Sequence, residues 1–425
     1  MRTTIKIGAV AVASALALAA CSSSDDDASS GSSGDAGGKT LVVSSDLPLQ
    51  GAAADANEST NNMIKLYLEQ QGYKAGDFSL EFKEYDNATA AKGSWDDATC
   101  AKNAQDHVAN SDEVAVMGTY NSGCAKIIVP VLNQDPDGPM LMVSHANTNP
   151  GLTKEWDPGE PDIFYPTGKR NYARVITTDD YQGQAAAEFA AEDLKVKKCY
   201  VINDNQTYGQ GVAKAFSDAA KENGIEILGE SAWDAKQPNY SAFFEQIKAK
   251  DPDCLYVGGI YDNNGGQLFK DKVKILGDNE TVKTLVPDGF TGYPDFQKQP
   301  ESEGAYLTFA GLDQSSLLAQ GGAGADLVNA YKEKYGEDPV GSYPLYGVAA
   351  MQVILEAIAK SDGTRPSITS AVFDESAPIT IPADKSVIGK EIIIDPKTGD
   401  SNNKDISVLQ MKSGVETLVT PWQVG

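Results

Sequence analysis

Short β-branched and aromatic runs alternate with longer amphipathic ones along this chain, in two successive blocks. That rhythm constrains the fold more than any other feature. In the first block the pattern predicts strands at 41–45, 79–85, 114–118 and 140–144, with helices over 58–71, 96–110 and 122–133 between them. A Pro/Gly-rich passage at 157–161 interrupts it. The second block predicts helices over 182–194, 211–223, 241–249 and 266–276, with strands at 199–202, 226–230, 254–257 and 283–286. Alternation at this spacing means parallel sheets with helices on both faces. The expected fold class is α/β, as two doubly wound parallel-sheet lobes joined by a multi-strand hinge. Helical runs at 326–335 and 346–360, then strands at 391–394 and 406–411, imply that the chain recrosses between the lobes. One lobe is expected to take 40–175 plus about 311–388, the other 176–310 plus about 389–425. No repeat of 20–50 residues is present, which excludes a solenoid.

Composition removes several functions. Sixty acidic residues face 35 basic ones, a formal net charge of −25, so no basic surface is available to neutralise phosphates and nucleic acid is not an expected partner. Only two histidines occur, and no Gly-x-Ser-x-Gly elbow, phosphate loop or Cys-x-x-Cys motif is present. No metal, cofactor or enzymatic activity is expected. His107 falls in a predicted helix and is expected at the surface. His145 is expected to border a cleft as a loop residue without a partner. The acidic pairs Asp96-Asp97 and Asp179-Asp180 read as helix starts and solvated surface, since adjacent helical residues do not share a face.

In open parallel sheets, ligands bind beyond the carboxyl ends of the strands. The strand at 114–118 exits into Thr119-Tyr120-Asn121-Ser122-Gly123, where Ser122 is placed as a helix N-cap beside N–H groups that favour an anion. The strand at 140–144 exits into His145-Ala146-Asn147-Thr148-Asn149-Pro150. In the second block the exits carry Tyr208, Tyr261 and Asp288. Anion donors on one lobe, with tyrosines and a carboxylate on the other, suit a zwitterion. Its carboxylate would sit on Ser122 and Thr148 and its ammonium against Asp288.

The opening Leu47-Pro48-Leu49-Gln50-Gly51, the stretch 140–153, the loop Gln206-Thr207-Tyr208-Gly209-Gln210-Gly211 and the exit Gly258-Gly259 occur in order. Together they resemble the substrate-binding lipoproteins of branched-chain amino acid ABC transporters, with the Leu/Ile/Val-binding type I periplasmic binding fold. The resemblance implies Ser122, Ala146 and Thr148 for the ligand carboxylate, Tyr208 and Tyr261 from the second lobe, and Asp288 for the ammonium. It places Tyr343 as an aromatic wall of the side-chain pocket. It further implies a monomer that captures a small ligand, an amino acid, by cleft closure and delivers it to ABC permease subunits. Short amides or urea, aromatic acids, or a sensing role for a membrane receptor are alternatives on the same fold. Two positions depart from the family pattern: Ala56 stands where relatives often carry an aromatic, and Asn57 where a glycine is usual. The segment 154–171 is longer than in many relatives.

Ahead of these blocks, Arg2 and Lys6 precede a short apolar stretch, 7–20, that ends in Leu18-Ala19-Ala20-Cys21. This resembles a bacterial lipobox and implies a signal peptide at 1–20, lipidation of Cys21 and a flexible tether at 21–39. Two acyl chains suffice to anchor a protein stably to the membrane, so an extracytoplasmic, lipid-anchored location is expected. Four cysteines remain. Cys199 and Cys254 open two predicted strands at matching ends, which predicts the disulfides Cys199–Cys254 and Cys100–Cys124.

Overall fold

The structure, a computed structural model, describes residues 40–423. The signal segment 1–20, Cys21 and the tether at 21–39, together with 424–425 at the end of the second lobe's tail, lie outside the described residues. The first sheet contains β1 (Thr40–Leu47), β2 (Phe78–Asp86), β3 (Glu113–Gly118), β4 (Leu141–Ser144) and β5 (Tyr172–Arg174). These run in the order 2-1-3-4-5, all parallel, with the short strand Lys74–Ala75 antiparallel at the β2 edge. The second sheet contains β6 (Lys198–Asn203), β7 (Glu226–Ala232), β8 (Cys254–Gly258), β9 (Lys283–Val286), β10 (Tyr306–Phe309), β11 (Asp405–Lys412) and β12 (Val415–Gln423). Its order is 7-6-8-9-10-11-12, parallel up to β10 and antiparallel beyond. Both sheets therefore reverse strand order beside their first strand, at β1/β3 and at β6/β8, and such a switch point opens a crevice at the carboxyl ends.

The helices are α1 (Ala54–Gln70), α2 (Asp97–Ala109), α3 (Ser122–Asn133), α4 (Asp179–Glu192), α5 (Thr207–Glu222), α6 (Ser241–Lys248), α7 (Gly265–Leu276), α8 (Pro294–Lys298), α9 (Gln314–Gln320), α10 (Ala323–Tyr335), α11 (Tyr343–Ala359) and α12 (Arg365–Val372). The period-2 pattern of the strands decides which helices cover which face. Ala115, Met117, Leu141 and Val143 pack with Met63 and Ile64 of α1 and Val348 and Met351 of α11. The alternate residues Val116, Met140 and Met142 pack with Ala104 of α2 and Ile128 and Val129 of α3. In the second sheet Cys199, Val201 and Tyr256 turn toward Phe189 of α4 and Phe216 of α5, while Ile202, Leu255 and Val257 face Phe244 of α6 and Leu268 and Phe269 of α7. Strands apolar on both faces read as continuous runs, which is why the parallel sheets were legible. The strands β5, β10 and β12 and the helices α8, α9 and α12 were not anticipated.

The chain passes between the sheets at 175–178, 310–313 and about 400–405. The crossings are tied together: Thr177 N–H donates to Ala310 O at 3.2 Å, Asp313 N–H to Ser407 Oγ at 2.9 Å, and Asn403 Nδ2 to Val175 O at 3.4 Å. The strand expected at 391–394 is present as Ile392–Ile393 and pairs antiparallel with Thr380–Ile381, apart from the two main sheets. The two cysteine pairs come to disulfide distance, with Cα separations of 5.7 Å for Cys100 and Cys124 and 4.3 Å for Cys199 and Cys254. The latter two are register partners in the β6/β8 ladder.

His107 corrects the sequence reading. It is fully buried rather than on the surface. Its Nε2 lies 3.0 Å from Asp46 and its Nδ1 2.6 Å from Glu113, with Tyr85 donating to Glu113 at 2.9 Å, Asn87 to Asp46 at 2.8 Å and Ser44 also bonding Glu113. The reason is that β1 and β3 carry acids at inward positions where α2 crosses them, so the helix supplies the compensating base. Burial alone would lower the His107 pKa, but the Asp46 and Glu113 carboxylates outweigh it and raise it to about 9. A raised pKa contributes stability that is fully present below about 6.5 and lost as pH rises through about 9. Lys272, pushed down to about 7 by burial, has the opposite sign over the alkaline range. The urea midpoint of His107→Gln, compared with the parent across pH 6–9.5, should therefore show a deficit of a few kcal/mol that shrinks as pH rises. A deficit independent of pH would mean that His107 is neutral in its site.

Candidate functional site

The carboxyl ends of β3 and β4 face those of β6, β8 and β9 across the crevice between the sheets. A cavity of about 20 Å³ remains there, lined by Tyr120, Asn121, Ser122, Ala146, Tyr208, Ile260, Asp288, Gly289 and Tyr343. That is room for roughly one water, so a larger solute enters only when the lobes part. Gly289 is required by this closeness: a Cβ there would meet Gly259 O and the Tyr208 ring.

Asp288 is the centre of the site. It sits just beyond β9, is 2% exposed, and its carboxylate accepts hydrogen bonds from three side chains. Tyr208 of α5 donates to Oδ1, Gln182 of α4 donates to Oδ1 at 2.9 Å, and Tyr343 of α11 donates to Oδ2 at 2.5 Å. Gln182 is itself fixed, since its Oε1 accepts from Asp288 N–H at 3.0 Å and Thr308 Oγ1 at 2.9 Å. Tyr343 belongs to the first sheet's helix layer, so this carboxylate is held from both lobes. Burial raises the Asp288 pKa, and the hydrogen bonds from Tyr208, Tyr343 and Gln182 oppose the rise.

The first lobe contributes hydroxyls and aromatic surface. Ser122 is the first helical residue of α3 rather than its N-cap, a place taken by Asn121 without a side-chain capping bond. The Ser122 hydroxyl instead accepts Asn149 N–H at 3.3 Å. Ala146 lines the cavity, while its N–H is engaged by Ser144 Oγ at 3.1 Å. Thr148 is buried and is not among the lining residues, and its Oγ1 has no partner. His145 is buried with neither ring nitrogen bonded, edge-on to Tyr343 at 5.8 Å, and burial lowers its pKa to about 3. Tyr261 is not part of the cavity lining. Its ring packs among Phe290, Tyr293 and Phe296, and its hydroxyl meets Gln299 at 3.3 Å.

Sequence reasoning did not select Tyr120, Asn121, Ile260 or Gln182. The first two adjoin Ser122 in the same exit loop, and that adjacency was the available signal. Asp179 also departs from expectation. It starts α4, but it is fully buried rather than solvated, because the helix begins against the 145–150 loop and Asp179 N–H donates to Thr148 O at 2.9 Å.

Two further contacts span the crevice. Asp262, beyond β8, accepts from Ala53 N–H at 3.3 Å at the start of α1 and from Tyr293 at 2.6 Å. Ala53 caps α1 without a side-chain hydrogen bond, so the opposite lobe supplies the anion that helix start favours. The segment 154–171 reaches the second lobe as well. It is fastened to the first lobe by Lys126–Glu160 at 2.5 Å and by Asn133 bonds to Thr167 N–H at 3.0 Å and Lys169 O at 2.7 Å. From there Lys154 pairs with Asp180 of α4 at 2.7 Å, and Lys214 of α5 lies 5.0 Å from the Trp156 ring centroid. Both contacts are partly exposed and each is worth about 0.5–1 kcal/mol. The double variant Lys154→Met/Trp156→Ala should therefore weaken ligand binding by roughly three- to tenfold through the closed state alone. Isothermal titration calorimetry checks this, and an unchanged affinity would show that the strap does not bias closure.

A family profile described as periplasmic binding protein matches residues 47–415. A Leu/Ile/Val-binding protein of Rhizobium johnstonii is 26% identical over 301 residues, covering 70% of this chain and 73% of the relative. Among solved structures, a leucine-binding protein from Thermotoga maritima superposes with a TM-score of 0.73 at 21% identity, covering 90% of this chain and 99% of that one. A solute-binding protein of an ABC transporter from Rhodopseudomonas palustris, in complex with 3,4-dihydroxybenzoic acid, gives 0.70 at 19% identity, covering 91% and 98%. With two switch-point lobes closing on one buried carboxylate, and a profile match over nearly all of its described length, the chain belongs to the periplasmic binding protein family.

Proposed function

We propose that this protein is the extracytoplasmic solute-binding component of an ABC importer and captures a small zwitterionic amino acid, of the branched-chain or a related type, by cleft closure. The observation that carries the reading is the convergence of Asp288 from one lobe with Ser122 and Ala146 from the other on one cavity. A ligand ammonium meets Asp288 with Tyr208 and Tyr343 around it. A ligand carboxylate meets Ser122, Thr148 and the first turn of α3, whose free N–H groups favour negative charge. Ligand that touches both lobes stabilises the closed form by its differential affinity, and the closed form is what a permease would recognise. The chemistry needed is binding alone, and no group in the cleft is asked to make or break a bond.

Aromatic acids are the second reading, favoured by the Rhodopseudomonas palustris neighbour and by the tyrosines in the cavity wall. They offer no cation to Asp288. A buried carboxylate facing a second carboxylate is unfavourable unless one of them is protonated, so the amino-acid reading is preferred. Further parts of the proposal are disulfides Cys100–Cys124 and Cys199–Cys254, supported by their separations, a lipidated Cys21, supported by its sequence context, and a monomeric state. The lobes are assigned as 40–175 with about 311–388, and 176–310 with the C-terminal strands.

A thermal-shift panel of L-leucine, L-isoleucine, L-valine, short amides and hydroxybenzoates tests the reading. A ligand at a hundred times its dissociation constant adds about 2.7 kcal/mol of stability, so a shift with the aliphatic amino acids is expected. In that case Asp288→Asn should cost roughly 2–5 kcal/mol of binding, and Ser122→Ala about 1–2 kcal/mol because backbone donors remain. Stabilisation by hydroxybenzoates alone would replace the amino-acid reading with the aromatic-acid one.

A further inference from the structure

The acid that the amino-acid reading leaves unused is Asp179. It is fully buried at the start of α4, and its Oδ2 has no hydrogen-bond partner. The side-chain amide of Gln182 bridges it to the ligand-facing acid: Nε2 donates to Asp179 Oδ1 at 3.2 Å and to Asp288 Oδ1 at 2.9 Å. Two buried carboxylates therefore share one amide.

The charged and titratable groups around them offer no free cation. Arg174 of β5 is committed to Asp400 at 2.7 Å and to the carbonyls of Asn147 and Asn149 at 2.8 Å each. Lys154 is taken by Asp180, the next residue on α4. Tyr208 of α5 and Tyr343 of α11 donate to Asp288, not to Asp179. Asp288 thus accepts three side-chain hydrogen bonds that favour its ionised form, whereas Asp179 accepts one from a side chain. A like charge nearby and a missing donor both disfavour ionisation, so of the two acids Asp179 is the one that keeps the proton. The direction of its pKa agrees: burial, then the Asp288 charge, hold it well above the usual carboxylate range, and the nearby Thr148 hydroxyl and Arg174 charge oppose the rise without reversing it.

We propose that Asp179 is the second acid of the ligand's cation site, and that an arriving ammonium displaces a proton held there. The exchange balances: the protonated Asp179 carboxyl loses its proton to solvent, and the ligand ammonium, which stays protonated, becomes the counter-charge shared by two carboxylates. Asp179 has no chemical role beyond this. It selects for a cation and against a neutral or anionic ligand, because only a cation makes ionisation of the second carboxyl favourable. The inference rests on the amino-acid reading for its ligand, but the proton itself can be observed without one.

The test is ¹³C NMR of the full chain labelled at aspartate Cγ, at pH 7.5, without and with L-leucine, together with calorimetry in buffers of different ionisation enthalpy. The expected result is one carboxyl signal in the protonated range, lost in Asp179→Asn and moved to the ionised range by L-leucine. Up to one proton should be released per ligand, and none in the variant. The affinity of the parent should rise with pH below the Asp179 pKa, by up to tenfold per unit, while Asp179→Asn is flat. A spectrum with every aspartate ionised before ligand is added overturns the proposal, as does leucine binding without proton release. A protonated Asp179 in a protein that binds only hydroxybenzoates overturns the exchange and the amino-acid reading together, whereas an ionised Asp179 with tight leucine binding overturns the exchange alone.

Discussion

Asp288 is the interaction on which the architecture turns. A buried carboxylate needs compensation, and here it comes from α4 and α5 of one lobe and from Tyr343 of the other. The 2.5 Å bond from Tyr343 exists only while the lobes are together. Closure therefore completes the acid's hydrogen-bonding shell, and opening returns it to water. A ligand cation adds to this balance on the closed side only, which is the form a binding-driven conformational switch must take.

Why the site lies where it does follows from strand order. Each sheet reverses direction of growth beside its first strand, so the exit loops on either side of that point diverge and leave a crevice. Because the two lobes repeat the same order, their crevices can face each other, and three chain crossings held by Thr177, Asp313 and Asn403 keep them facing. The hinge is thus cross-linked by backbone and short polar side chains. Such a connection permits rotation of one lobe against the other while the cores of both, packed in alternating strand faces, remain rigid.

Most of this was legible in the sequence, and the misses have physical causes. Doubly apolar strands such as 114–118 and 254–257 announce burial on both faces, and their exit residues follow from counting. β5 is short, at three residues, and too brief for any period to show. β12 is exposed along much of its length, so its apolar residues do not form a buried run. Of the site, Ser122, Ala146, Tyr208, Asp288 and Tyr343 converge on the cavity, because each stands at a strand exit or the start of a helix. Thr148 is buried outside the lining of the closed cavity with its hydroxyl unpartnered, and Tyr261 turns away into the cluster of Phe290, Tyr293 and Phe296. An exit loop fixes where a residue leaves the sheet; its side-chain direction depends on neighbours that are remote in sequence.

His107 and Asp179 share one lesson. His107 was assigned to the surface as a residue of a predicted helix, and Asp179 as one of two adjacent acids that do not share a helix face. Both are fully buried because a partner of fitting charge or hydrogen-bonding capacity comes from another element: Asp46 and Glu113 for His107, Gln182 for Asp179. The two networks differ in completeness. Around His107 the buried charges are paired and every carboxylate is bonded, which makes it a fixed part of the first lobe. Around Asp179 one oxygen is left without a partner and two acids face each other without a cation. A buried imbalance of that kind is costly in the folded protein. Through Gln182 it adjoins Asp288 in the crevice between the lobes, where a cationic group from outside can remove the cost on binding.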